Sequence, residues 1–254
     1  MLDKNRISEI LHNAATEAKA VSQMLDDAGF SVENAYEIQA LSIEKRFIAG
    51  EKLVGYKLGF TSQAKMIQMG VHDMIWGVLT DRMNIPEGGV MSISNYIHPR
   101  VEPEIAIITA KKIDRPLQLA ESRDYVKAIA PAMEIIDSRY KNFKFTLADV
   151  IADNCSSSGF IVGQWFSENI HINNLGTVLK INGNPVQIGS SNAVLGNPWE
   201  ALPAISRLTH QYNKEIPEGS VILIGAITPA VALTKGDFVE SEFQNLGKIS
   251  FSVE

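Results

Sequence analysis

The chain has 254 residues, of which 45% are hydrophobic and 20% charged, and its net charge is −6, as in an ordinary globular protein. It contains no Lys/Arg-rich run, which argues against nucleic acid or an anionic membrane as a partner. The acid-containing N-terminus is not expected to be a signal peptide, and no apolar run reaches the roughly 18 residues of a membrane span. The single cysteine, Cys155, excludes an intrachain disulfide. A cytoplasmic location is the default expectation.

Two helices are predicted at the start of the chain. Apolar residues at three- and four-residue steps predict a first helix over about residues 8–28, with Gly29 at its end. Ser31 is the predicted N-cap of a second helix that runs through Phe47 and is closed by Gly50. The short turn between them predicts a small helical hairpin.

The pattern changes after this hairpin. Residues 53–60 (LVGYKLGF) predict a strand, and residues 62–70 (SQAKMIQMG) predict a short helix. From about Arg82 onward most segments are short and strand-like, with Gly, Pro and Asn between them. Helical stretches are predicted near Ala120 (SRDYVKAIA) and after Pro198 (WEALPAISRLTHQY). The strand-like segments are IHPRVEPEIAIIT, PAMEIID, SGFIVG, GTVLKING, GSVILIGAIT, DFVESEF and KISFSVE.

These elements predict an α+β protein with two parts. Residues 1–80 form a smaller helical N-terminal subdomain, and residues 81–254 form a β-rich catalytic core of mixed strands. The sequence contains no internal repeat and no low-complexity segment.

Three glutamates stand out among the predicted strands. Side chains alternate along a strand, so Glu102 and Glu104 point to the same face, about 7 Å apart at their bases. Their strand is apolar on both faces, which is typical of a strand buried on both faces. Glu134 lies among apolar residues in a second strand-like run over residues 130–137. Buried carboxylates repel one another unless a cation, a basic partner or protonation relieves them.

A metal site is one interpretation of these acids. Three carboxylates without a His or Cys cluster make an oxygen-only site, which favours Mg²⁺ or Mn²⁺ over zinc. The alternative is a solvated strand edge that carries Glu102 and Glu104, with Glu134 unrelated. Glu-x-Glu is a common tripeptide, and the pattern alone leaves the two interpretations open.

Six segments, in order along nearly the whole chain, carry a family resemblance. They are GYKLGFTSQAKMIQMGV (55–71), IHPRVEPEIA (97–106), PAMEIIDSRYKNFKF (131–145), ADNCSSSGFIVG (152–163), LGNPWEALPAI (195–205) and GSVILIGAITPAVALTKGDFVESEFQNLGKISF (219–251). Together they resemble the hydratase/decarboxylase branch of the fumarylacetoacetate hydrolase superfamily. The resemblance implies a β-rich roll behind a smaller N-terminal part. It also implies Mg²⁺ or Mn²⁺ held by Glu102, Glu104 and Glu134, and no organic cofactor.

The resemblance implies activity on short 2-oxo acids from the meta-cleavage breakdown of aromatic compounds. Two reactions compete: decarboxylation of 4-oxalocrotonate (2-oxo-3-hexenedioate), and hydration of 2-hydroxypenta-2,4-dienoate or a related 2-oxo-heptenedioate. Hydratases of this branch carry an aspartate where this chain has Ile75, in residues 74–77 (MIWG). An apolar residue there favours decarboxylation, because a drier pocket destabilises the departing carboxylate. A non-catalytic binding member of the fold is a third alternative.

Lys57 receives its role from the same resemblance, and four other residues receive roles from their positions in the sequence. Lys57 is the expected catalytic lysine at the reacting end of the substrate. Ser156, in a small polar turn, is expected to bind a substrate carboxylate, as are Ala226 and Thr228 in a turn that offers backbone N–H groups and a hydroxyl. His72 is expected to bind the distal carboxylate.

Other residues near these motifs receive lesser roles. Asp153, Asn154 and His98 are expected to support the site without touching the substrate. Cys155 is interpreted as a small buried thiol and not as a nucleophile. The expected partners are a small 2-oxo dicarboxylate, further copies of the same chain in a homo-oligomer, and the sister hydratase of the pathway.

Overall fold

Two β-sheets make up most of the regular structure. The structure is a computed structural model that describes residues 3–24, 30–62, 66–67 and 73–254. Within those ranges the α-helices are α1 (Lys4–Thr16), α2 (Val32–Ile48), α3 (Leu147–Ala152) and α4 (Ala201–Gln211). None of these helices combines the length and apolar character needed to cross a bilayer.

Thirteen strands are found in the same ranges. They are β1 (Leu53–Gly59), β2 (Ile75–Thr80), β3 (Val90–Met91), β4 (Arg100–Thr109), β5 (Val126–Ile136), β6 (Ser157–Val162), β7 (Phe166–Ser167), β8 (Gly176–Ile181), β9 (Asn184–Ser190), β10 (Val221–Leu223), β11 (Val231–Ala232), β12 (Phe238–Phe243) and β13 (Gly247–Val253). Short 3₁₀ turns connect several of them.

The larger sheet has eight strands, in the order β2-β1-β10-β4-β5-β6, with β11 added to β4 and β7 added to β5. The smaller sheet has five, in the order β3-β13-β12-β8-β9. Strands β1 and β10 are parallel, while β10, β4, β5 and β6 follow in antiparallel pairs. This mixed sheet confirms the predicted α+β class. The division at residue 80 stays a prediction, and the larger sheet joins β1 and β2 directly to the strands of the predicted core.

The predicted first helix is wrong in its second half. Helix α1 ends at Thr16, and Ala18 then adopts a left-handed φ of 50°. Val21 is extended and forms a bridge with Tyr140, with Val21 N–H donating to Arg139 O at 2.9 Å. The apolar spacing continues past the helix because the extended segment also packs against the core. Residues 25–29 lie outside the described part of the chain.

The second helix agrees closely with its prediction. Helix α2 spans Val32–Ile48, and its N-cap Ser31 accepts a hydrogen bond from Asn34 N–H at 3.2 Å. Gly50 follows its end with φ 91°, the left-handed conformation that favours glycine. The short helix predicted over residues 62–70 falls largely outside the described residues.

The helix predicted near Ala120 is also wrong in part. A 3₁₀ turn covers Leu119–Tyr125, and strand β5 begins immediately afterward at Val126. The segment VKAIA therefore pairs with β4, because long-range strand pairing overrides weak local helix propensity. Strand β2 was not predicted as a separate strand. The helix predicted after Pro198 is present as α4, preceded by a 3₁₀ turn over Pro198–Glu200.

Candidate active site

The three predicted glutamates meet at the centre of the larger sheet. Strands β4 and β5 are antiparallel with Glu102 directly opposite Glu134 and Glu104 opposite Ala132, so all three carboxylates lie on one face. One oxygen from each lies within 4.8 Å of the others. Glu104 and Glu134 are fully buried, while Glu102 is half-buried. The solvated-edge alternative is therefore wrong, since β4 lies between β10 and β5 in the sheet interior.

Lys57 reaches the same cluster from β1. Lys57 is the register partner of Leu223 on β10, and Leu223 is the partner of Ala106 on β4, so the lysine shares the face of the acids. Its Nζ lies 3.0 Å from Glu134 Oε2 and donates to Cys155 O at 3.3 Å. The same face carries Ala106 and Ala132, together with the larger side chains of Phe160 and Leu223.

The charges in this cluster do not balance. Burial, and then the charge of Glu134, raise the pKa of Glu104 well above its usual range, although Lys57 opposes the shift. Burial likewise raises the pKa of Glu134, again against Lys57. Burial alone would lower the pKa of Lys57, but Glu134, Cys155, Glu104 and Glu102 together raise it. Three carboxyl groups thus share one ammonium group.

A divalent cation fits this arrangement. Within the described residues, Glu104 Oε1 and Glu134 Oε1 are buried oxygens without a hydrogen-bond donor, which is costly unless another positive group is present. All three ligands are carboxylates, the chemistry that hard ions such as Mg²⁺ and Mn²⁺ prefer. Glu102, Glu104 and Glu134 could therefore hold such an ion.

The backbone after β10 positions one of the acids. Gly225 N–H donates to Glu104 Oε2 at 2.8 Å, so this N–H is used by the protein and is not available to a substrate. Ile227 N–H donates to Pro103 O at 2.9 Å, and the Thr228 hydroxyl donates to Pro229 O at 3.3 Å. This turn thus holds β4 and orients Glu104, and the expected contact of Ala226 and Thr228 with a substrate carboxylate stays a prediction.

A substitution at Gly225 tests this positioning. Gly225 has φ 117°, and a Cβ at this position would lie 2.7 Å from Thr61 Cβ, too close for two carbon atoms. We expect Gly225→Ala to weaken metal binding at least tenfold, because the loop must move and withdraw its N–H from Glu104. Calorimetric titration with Mg²⁺ measures the change.

Gly176→Ala is the matched control, since its Cβ would meet only Gln244 Oε1, at an ordinary 3.6 Å. Equal Mg²⁺ affinity in the two variants would contradict the role given to Gly225.

A strained turn presents a carbonyl group to Lys57. Asn154, Cys155 and Ser156 have consecutive left-handed φ values of 49°, 54° and 58°, which costs non-glycine residues roughly 1–2 kcal/mol each. The Asn154 side chain offsets part of this cost by accepting from Val78 N–H at 2.7 Å and donating to Val78 O at 2.9 Å. Asn154 therefore holds the turn against β2 and places Cys155 O at the lysine.

The serines beside this turn differ in position. Within the described residues the buried hydroxyl of Ser156 has no hydrogen-bond partner, and its substrate role stays a prediction. The buried hydroxyl of Ser157 likewise has no hydrogen-bond partner within those residues. Burial raises the pKa of Glu134, and Ser157 is the weakest of the groups that oppose this shift. Sequence reasoning missed Ser157, although the Ser-Ser-Ser run that contains it was part of the family resemblance.

Cys155 is a structural residue. Its Sγ donates to Trp76 O at 3.0 Å, and burial raises the pKa of the thiol to about 12, which keeps it protonated and unreactive. Asp153 forms an ion pair with Arg139 and also accepts from its backbone N–H at 2.9 Å. Both residues brace the turn and do not enter the cluster, as predicted for Asp153.

Ile75 lies beside Lys57. It is 4% exposed and is the register partner of Gly59 on β1. A Cβ added to Gly59 would meet Ile75 Cγ1 at 2.9 Å and Lys57 Nζ at 3.7 Å, so the apolar side chain and the ammonium group border the same space. His72 lies outside the described residues.

The sequence model of the family "Fumarylacetoacetate (FAA) hydrolase C-terminal" matches residues 61–254. This chain belongs to the fumarylacetoacetate hydrolase family. One relative is a 4-oxalocrotonate decarboxylase from a Pseudomonas species, to which this chain is 50% identical. The match covers 98% of this chain and 97% of the relative. A 2-keto-4-pentenoate hydratase from Paraburkholderia xenovorans is more distant, at 29% identity over 99% of this chain and 95% of the relative.

A solved structure of the same family has nearly the same fold. It is the 4-oxalocrotonate decarboxylase from Pseudomonas putida G7 complexed with magnesium and adipate, with a TM-score of 0.97 and 35% identity. The match covers 100% of this chain and 99% of that one. The likeness therefore includes the sheet that carries Lys57 and the three acids.

Proposed function

We propose that this chain is a metal-dependent lyase that decarboxylates 4-oxalocrotonate to 2-hydroxypenta-2,4-dienoate and CO₂ in the meta-cleavage catabolism of aromatic compounds. The observation that carries the proposal is the buried cluster of Glu102, Glu104, Glu134 and Lys57, with apolar Ile75 beside the lysine. The 50% identity to a 4-oxalocrotonate decarboxylase over nearly the whole chain supports the choice of substrate.

Glu102, Glu104 and Glu134 are the proposed ligands of Mg²⁺ or Mn²⁺. The magnesium in the related decarboxylase structure supports this assignment. When bound, a divalent ion supplies Lewis-acid polarisation of the 2-oxo group. No organic cofactor is required, because the conjugated 2-oxo group of the substrate accepts the electrons itself.

The proposed reaction breaks the bond between C5 and the C6 carboxylate. The electron pair moves through the C3–C4 alkene to the C2 oxygen as CO₂ leaves, and one proton is then taken up by that oxygen. Lys57 lies next to Glu134 and in its ammonium form holds the C6 carboxylate in position. The alternative role of this ammonium group is to donate the proton that the product takes up, after CO₂ has left.

Ile75 favours decarboxylation over hydration. Its side chain borders the space in front of Lys57 Nζ and excludes water from the departing carboxylate, whose charge disperses as CO₂ forms. A hydratase needs a side chain that activates water by accepting a proton from it, and isoleucine has no such group. Ser156, Ala226, Thr228 and His72 remain proposed substrate contacts.

Association with other chains is a separate proposal. Val186 and Ile188 on the edge strand β9 are 40% and 76% exposed, and such apolar residues are typical of contact surfaces. They support a homo-oligomer, and the sister hydratase of the pathway is a proposed further partner. Light scattering of the purified protein, alone and mixed with that hydratase, measures both.

A product assay tests the function directly. Purified protein with Mg²⁺ and 4-oxalocrotonate is expected to release CO₂, and excess EDTA is expected to stop the release because the carboxylate cluster then lacks its cation. A parallel reaction contains 2-hydroxypenta-2,4-dienoate. Water addition in that reaction, without CO₂ release in the first, would make the protein a hydratase and would overturn the role given to Ile75.

A further inference from the structure

Arg100 lies in line with the acids on β4. The pairing of β4 with β5 is regular from Arg100, opposite Ile136, through Glu102, opposite Glu134. Alternate residues of a regular strand share a face, so the Arg100 side chain is on the same face as Glu102 and Glu104. Glu104 is fully buried, whereas Glu102 and Arg100 are half-buried. Arg100 therefore marks the end at which the cluster opens to solvent.

The guanidinium of Arg100 is oriented by an aromatic ring. Its Cζ lies 4.3 Å from the ring centre of Phe143. Stacking of this kind fixes the plane of the guanidinium and leaves its N–H edges free for a planar oxyanion. Within the part of the chain that the structure describes, Arg100 forms no ion pair with a carboxylate. It is thus an oriented cation beside a site for an acidic substrate.

The backbone that carries Phe143 is strained. Asn142 and Phe143 have φ values of 60° and 57°, and a bulky aromatic residue rarely adopts this left-handed conformation. The ring centroid of His98 lies 5.0 Å from that of Phe143. The buried Nε2 of His98 has no hydrogen-bond partner within the described residues. Strain that is maintained next to unsatisfied polar groups is typical of binding sites.

The charge balance of the site favours another cation near a substrate with two carboxylates. Three carboxylates and Lys57 carry a net charge of −2, which one divalent ion neutralises. A substrate with two carboxylates then brings the net charge back to −2, because the charge of Lys57 is already counted, and Arg100 would reduce it to −1. Under the proposed function the 2-oxo group lies at the acids and the reacting carboxylate at Lys57, so the carboxylate beside the 2-oxo group is the one at the Arg100 end of β4.

We propose that Arg100, oriented by Phe143, binds the substrate carboxylate adjacent to the 2-oxo group. This inference rests on the proposed function for its substrate and assigns to Arg100 the specificity for 2-oxo acids. Phe143 is a positioning residue, since it acts through Arg100.

Binding of pyruvate tests the proposal, because pyruvate contains only the carboxylate and the 2-oxo group. With Mg²⁺ present, we expect Arg100→Gln to weaken pyruvate binding by roughly 10- to 100-fold, as loss of a charge-assisted hydrogen bond predicts. We also expect KM for 4-oxalocrotonate to rise by a similar factor with kcat changed less than threefold. Mg²⁺ affinity measured by calorimetry should stay within twofold, and Arg100→Lys should restore part of the pyruvate affinity.

Arg123→Gln is the matched control, since Arg123 stacks in the same way on Trp199 at 4.4 Å, outside the acid cluster. Unchanged pyruvate affinity in Arg100→Gln would overturn the proposal. Adipate, which has two carboxylates and no 2-oxo group, serves as a second probe. A loss of affinity for adipate alone would also overturn the proposal, because it would assign Arg100 to the far carboxylate. Loss of pyruvate binding in Arg100→Gln, together with a wild-type protein that releases no CO₂, would support the carboxylate site and refute the proposed function.

Discussion

Replacing Glu104 with glutamine is expected to abolish CO₂ release and to lower the affinity for Mg²⁺. Loss of a residue that only hydrogen-bonds to a metal ligand typically lowers metal affinity roughly 10- to 100-fold, and we expect a larger decrease here. Glutamine has nearly the same shape but removes one of the three charges that hold the ion. Because burial and Glu134 raise the pKa of Glu104, the charged form is unfavourable without metal. The metal-free variant should therefore unfold at the same urea concentration as the metal-free wild type, or at a higher one.

The measurement combines calorimetric Mg²⁺ titration with urea unfolding in EDTA and in Mg²⁺. Glu218→Gln, at an exposed carboxylate, is the control and should behave as wild type in every assay. Retention of full activity and full Mg²⁺ affinity by Glu104→Gln would show that the proposed ligand set is wrong.

Replacing Lys57 with methionine is expected to affect both activity and stability. Loss of a proton donor typically costs 10²- to 10⁴-fold in rate, and we expect kcat to fall within that range. Lys57 and Glu134 form a buried pair at 3.0 Å, and breaking such a pair costs roughly 3–5 kcal/mol in unfolding free energy. We expect most of that cost in EDTA and less of it in Mg²⁺, because the metal compensates the unpaired carboxylates.

Urea unfolding of the Lys57→Met variant with and without Mg²⁺ gives the two free energies. Lys180→Met is the control, since Lys180 forms comparable ion pairs with Glu240 and Glu242 on the smaller sheet near the surface, where such pairs contribute little. Equal stability of Lys57→Met and wild type in EDTA would contradict a buried charge pair.

Local patterns predicted the elements of the fold better than their boundaries. The cap and end of α2 follow from Ser31 and Gly50, because capping is a short-range interaction. The error after α1 arose because apolar spacing persists in the extended segment around Val21. A helix was also predicted for residues 126–130, but these residues form part of β5 because they pair with β4.

The site was only partly predictable from the chain itself. Strand alternation placed Glu102 and Glu104 on one face, but nothing local fixes the register that puts Glu134 opposite Glu102. The Gly225 N–H that binds Glu104 depends on a turn packed against Thr61. The left-handed turn over Asn154–Ser156 has no sequence signal, since Cys and Ser rarely adopt that conformation.

The position of β10 determines when the site can assemble. This strand, Val221–Leu223, lies between β1, which carries Lys57, and β4, which carries two of the acids. During synthesis the lysine and all three glutamates leave the ribosome long before the strand that joins the lysine to the acids. A nascent chain without β10 can pair β4 with β5 and so gather the three carboxylates, but Lys57 reaches them only after β10 has been inserted between β1 and β4.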